Sequence, residues 1–170
     1  MNDRVTKLIA STGLIAGGIL GMVGSFVPSP MLRGLAWGLD GAALVLACGI
    51  LTVYYFRKGN DIIASGFLIF AIGEGFILSC SAINLDENLS AFGAGTALWA
   101  TSLSLISFQK LFPILVRCLG LIAALLFSVV SVLIFMGQPI NPLSEPLPFF
   151  AYPFFAATIF GWAFVLLRTE

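Results

Sequence analysis

The sequence predicts an all-α polytopic membrane protein: a six-transmembrane-helix bundle built from three antiparallel hairpins, with both termini on the cytoplasmic side. Three observations predict it. Of the 170 residues, 59% are hydrophobic and only 9% charged, against about 25% charged in an ordinary soluble domain; the mean hydropathy is +1.07. Turn-forming clusters interrupt the apolar runs at intervals close to the roughly 20 residues a helix needs to cross a bilayer core. Lys and Arg, finally, concentrate in alternate connections.

A single transmembrane domain over 1–170 is expected. The first apolar run, Leu8 to Val27, follows Arg4 and Lys7 and ends at "PSP" (28–30). Its length exceeds the roughly 7–15 apolar residues of a secretory leader, and it lacks a small-x-small cleavage site, so it reads as a retained helix over 7–27. The second helix spans 33–56, up to "RKGND" (57–61), and the third 61–83, up to "NLDEN" (84–88). The fourth spans 89–109 and the fifth 113–136, around "QKLFP" (109–113). The last covers 148–167, after "GQPINPLSEP" (137–146). These runs are continuously apolar and too long for barrel strands of about 10 alternating residues, so helices are required.

With both termini inside, Arg4, Lys7, Arg57, Lys58, Lys110, Arg117 and Arg168 all lie on the cytoplasmic side. Only Arg33 lies outside, and the acids Asp86, Glu87 and Glu145 fall in outer loops. A bacterial cytoplasmic membrane is the expected location. Gly13, Gly66 and Gly120, spaced 53 and 54 residues apart, open "GLIA", "GFLI" and "GLIA", a weak repeat that supports three hairpins. The layout of three short hairpins in under 200 residues resembles the small stress-associated membrane proteins of the HdeD type. That likeness is one of layout and implies no function.

Lipid is as apolar as leucine, so helices in a bilayer associate through close packing and hydrogen bonds. A glycine zipper is expected in Gly13, Gly17 and Gly21 on the first helix, facing Gly34, Gly38 and Ala42 on the second. Its first use is packing within the chain, its second a homo-oligomer interface. Aromatics at helix ends, Trp37, Tyr54, Tyr55 and Phe56, suit the headgroup belts. In "PLPFFAYPFF" (146–155), Pro153 is expected to interrupt the helix begun at Pro148, giving an interfacial turn or a lid.

The chain has no His. That weighs against haem, zinc and copper sites and against an imidazole base. Cys48, Cys80 and Cys118 stand singly on apolar segments and read as small core residues. No catalytic residue, metal or cofactor is expected, and the balance of eight basic and eight acidic residues gives no argument for nucleic acid. The expected partners are the lipid bilayer and a second copy or another membrane protein.

Two acids lie well inside the expected spans, Glu74 and Asp40. An ionisable group at such depth costs on the order of 2.5–3.5 kcal/mol on insertion scales, which makes it a functional hypothesis by default. Glu74 lies about 20 Å along its helix from the inner end and Asp40 about 10 Å from the outer end, so they share a level in a core about 30 Å thick. No base lies within a turn of either, and a neutral, protonated carboxyl is the expected state. Gly73 and Gly75 remove bulk beside Glu74. The first reading is a non-catalytic structural, accessory or regulatory protein whose protonated acids are packing donors. The alternative is a small proton- or cation-coupled permease or channel using Glu74 and Asp40, with Thr96, Ser128 and Tyr152 lining the same cavity. A membrane-embedded enzyme is the weakest reading.

Overall fold

The computed structural model describes residues 3–81 and 88–168. The expected outer-loop acids Asp86 and Glu87 lie outside the described residues. Six α-helices make up the fold: α1 Asp3–Phe26, α2 Pro30–Arg57, α3 Asp61–Ser81, α4 Leu89–Phe108, α5 Ile114–Phe135 and α6 Tyr152–Arg168, the last entered through a 3-10 turn at Phe149–Ala151. No strand occurs among the described residues. All six are long and apolar enough to cross a membrane, α6 when counted with its 3-10 turn, and the chain is a multi-pass membrane protein.

The helix ends follow local chemistry. α2 starts three residues before its expected position because Ser29 caps it, its Oγ accepting from the Leu32 N–H at 3.5 Å, with Pro30 in the first turn where no N–H is needed. α2 stops at Gly59, whose φ of +73° suits glycine. The Gly59 N–H then reaches Phe56 O and the Asn60 N–H reaches Tyr55 O. Gly137, at φ +90°, ends α5 by the same pattern, with Gly137 N–H on Ile134 O and Gln138 N–H on Leu133 O. Pro153 does not break the last helix, because it falls in the first turn of α6.

Each helix packs on its neighbours in the chain, and α6 returns to α1, so the six close into a ring. Small residues mark the close approaches. A Cβ on Gly13 would come within 2.9 Å of the Ala43 carbonyl oxygen, and one on Gly73 within 2.9 Å of Leu98 Cβ and 3.2 Å of the Gly95 carbonyl. Hydroxyls add interhelical bonds from Ser11 to Ala163 O (3.3 Å) and from Ser131 to Gly93 O (3.0 Å). The glycines expected on α2 do not answer α1: a Cβ on Gly34 or Gly38 would meet nothing within 4 Å. The face of α2 turned to α1 carries Asp40, Ala43, Leu44 and Ala47 instead.

Aromatic rings fill the middle of the ring of helices. Phe67 lies 5.2 Å from Trp162, Phe70 5.5 Å from Phe155, and Phe155 4.7 Å from Trp99 and 5.3 Å from Phe127, centroid to centroid. Tyr55, expected in a headgroup belt, is buried in this column and stacks on Phe67. Cys48 and Cys80 are buried, whereas Cys118 is exposed on α5 and is not a core residue. Arg117 donates to the last carbonyls of α4, Ser107 O at 2.8 Å and Phe108 O at 3.4 Å, placing its charge where the helix dipole is negative. At the other end of the first helix pair, Lys58 and Asp3 form a 2.7 Å ion pair, and the neighbouring carboxylate holds the Lys58 ammonium above the usual lysine range.

Candidate functional site

The aromatic column does not extend through the whole bundle. Beside it lies a cavity of about 60 Å³, bounded by α1, α2, α3, α4, α6 and the connection before α6. Asp40 from α2, Glu74 from α3 and Tyr152 from α6 all line it. The two acids come from neighbouring helices and line the same space.

Glu74 is 2% exposed. α3 can turn this side chain inward because Gly73 lets α4 approach, and α4 there presents Trp99, whose indole Nε1–H donates to Glu74 Oε2 at 3.0 Å. Trp99 itself belongs to the aromatic column, packed on Phe155 and Phe127. It therefore forms the boundary between the filled part of the bundle and the cavity. Gly75, on the other side of Glu74, faces open space.

Asp40 is accommodated by α1. A Cβ on Gly21 would lie 2.7 Å from Asp40 Oδ2, and one on Gly17 3.2 Å from Asp40 Oδ1 and 2.5 Å from Leu44 Cγ. Two of the three expected zipper glycines thus make room for a carboxyl, while Gly13 alone meets α2 backbone. Asp40 Oδ1 is buried and, among the described residues, has no hydrogen-bond partner. Arg33 does not reach it; its guanidinium sits 5.7 Å from the Trp37 ring centroid.

The connection before α6 covers one side of the cavity. Its turn is organised by Asn141, whose side-chain oxygen accepts from the Leu143 N–H at 2.9 Å. Tyr152 ties it down, its hydroxyl donating to Pro142 O at 2.9 Å. Phe26, at the end of α1, meets Phe149 at 5.6 Å, bringing the α1–α2 connection beside it.

Thr96 and Ser128 do not reach the cavity. Thr96 is fully buried and donates to Gly93 O, and Ser128 donates to Ala124 O on its own helix. No grouping of three or more His, Cys, Asp or Glu side chains that could hold a metal ion occurs among the described residues. No protein-family model matches the chain, and neither does any curated protein or any solved structure.

Trp99 and Trp37 are two cavity residues that sequence reasoning missed. A signal for Trp99 existed: an indole N–H deep in an apolar span requires an acceptor, and Glu74 is the only acid on the preceding helix away from its first turn. Trp37, near the start of α2, also packs over Gly24 and donates to Gly21 O at 3.3 Å.

Proposed function

We propose that the protein is a small membrane permease for protons or monovalent cations, with Asp40 and Glu74 as the binding carboxyls. One observation carries this reading: both acids line one cavity, and among the described residues neither donates a hydrogen bond across helices. An indole nitrogen can only donate, so Glu74 meets Trp99 as an acceptor. Asp40 Oδ1 has no partner among the described residues. A packing-donor role would require an acceptor facing each acid.

In this reading the helices form three antiparallel hairpins with both termini in the cytoplasm, as the basic residues favour. The cavity then faces the outer side, beneath the α1–α2 and α5–α6 connections, and the aromatic column closes the path to the inner side. Transport consists of a cation and a proton competing for the same carboxyls, followed by a shift of Trp99 and its neighbours that opens the opposite side. Among the described residues, the titratable groups lining the cavity are Asp40, Glu74 and Tyr152, and no Lys or Arg lines it.

The experiment is a flux assay on the full chain in proteoliposomes, with an imposed pH gradient and monovalent cations on the outside. The expected result is gradient dissipation by the wild type that is lost in Glu74→Gln and Asp40→Asn variants of unchanged melting temperature. Wild-type vesicles as tight as empty ones would overturn the reading. The accessory-protein reading draws on the Trp99–Glu74 bond, and it predicts no flux, a nearly silent Glu74→Gln and a thermally weakened Glu74→Leu.

A further inference from the structure

The polar groups around the cavity are unequal. Among the described residues, the indole and hydroxyl donors on its wall are already committed: Trp37 Nε1–H to Gly21 O, Ser25 Oγ–H to the same carbonyl at 3.1 Å, Trp99 Nε1–H to Glu74 Oε2, and Tyr152 O–H to Pro142 O. With the carboxyls ionised, what remains uncommitted among the described residues is acceptor capacity, above all Asp40 Oδ1. The rest of the wall is apolar or aromatic, including Leu44, Ile77, Phe92 and Phe155. A ligand that fits must therefore bring donors and positive charge, and must also carry some apolar surface.

Size and coordination narrow the class. A cavity needs about 10–15 Å³ to hold one water, so 60 Å³ accommodates a ligand of a few heavy atoms. Magnesium and calcium require about six to eight oxygen ligands, and no metal-binding grouping exists among the described residues. A bare alkali ion has no apolar surface to place against the rest of the wall. An alkylammonium differs: its N–H groups satisfy carboxyl oxygens, its methyl packs on the apolar wall, and aromatic faces attract its charge.

We propose that the cavity binds a small alkylammonium cation of methylammonium or dimethylammonium size, with Asp40 as its principal acceptor and Glu74, held by Trp99, as the second. This rests on reading the cavity as a cation site, and it adds the substrate class. Asp40 and Glu74 contact the cation; Trp99 is a positioning residue that acts through Glu74.

The test is binding of methylammonium chloride to the purified full chain in detergent micelles, followed by tryptophan fluorescence and by calorimetry, with sodium chloride at equal ionic strength as the reference. Two of the three tryptophans, Trp37 and Trp99, line the cavity, so occupancy should change the emission. Saturable binding is expected for methylammonium and dimethylammonium, and none for tetraethylammonium. Asp40→Asn should weaken binding at least about tenfold, Gly21→Ala should weaken it by displacing the Asp40 carboxyl, and Ser128→Ala should leave it unchanged. Equal responses to methylammonium and sodium, or tight binding of tetraethylammonium, would overturn the proposal even if the variants fail to fold. Proton or sodium flux in proteoliposomes without methylammonium binding would sink the substrate class and leave the permease reading standing. Methylammonium binding without any flux would do the reverse.

Discussion

The Trp99 indole donates to the Glu74 carboxyl at 3.0 Å across the α3–α4 interface, at a site where Glu74 is 2% exposed. This contact gives the buried acid a donor on the neighbouring helix. It also joins the cavity to the aromatic column, since Trp99 packs on Phe155 and Phe127.

Trp99→Phe keeps the ring and removes the N–H, leaving Glu74 buried without its donor. Leaving a buried polar group unsatisfied costs about 1–3 kcal/mol, and the melting temperature in detergent should fall accordingly. The double variant Trp99→Phe with Glu74→Met should recover much of that loss, because two apolar partners leave nothing unpaired. Additive losses in the double-mutant cycle would show that the bond does not couple the two residues.

The glycines separate into two groups by what an added methyl would meet. Gly13→Ala drives its Cβ toward the Ala43 backbone oxygen, 2.9 Å away, and should reduce thermal stability. Gly38→Ala and Gly75→Ala meet nothing within 4 Å and should raise stability by up to about 1 kcal/mol through helix propensity. Thermal melts of the three variants check this; a Gly38→Ala variant as damaged as Gly13→Ala would contradict the packing described.

Arg117 provides a test of the helix ends at the α4–α5 connection. Arg117→Met removes two charge-assisted bonds to the last α4 carbonyls, with an expected loss of about 1.5–3 kcal/mol. Arg117→Lys keeps the charge without the planar fork and should lie between the wild type and Arg117→Met in chemical denaturation.

Tyr152→Phe releases the connection before α6 from its bond to Pro142 O. Amide exchange in residues 138–145 should quicken while α5 and α6 interiors stay protected. Unchanged exchange there would mean that the Asn141 turn alone holds the segment.

The linear chain determined the existence of six helices, because runs of about 20 apolar residues broken by turn clusters leave no other way to satisfy the backbone in lipid. It also determined that Glu74 and Asp40 are exceptional and at comparable depth, since depth along a helix is residue count times rise. Tertiary structure alone decided which faces meet. It placed Asp40 against Gly17 and Gly21, turned Gly34, Gly38 and Gly75 away from any neighbour, gave Glu74 its partner in Trp99, and kept Thr96 and Ser128 out of the cavity. The reason is the solvent. In water the apolar face of a helix marks its interior side, whereas in a bilayer both the lipid-facing and the packed faces are apolar, and the periodicity that identifies a face is lost.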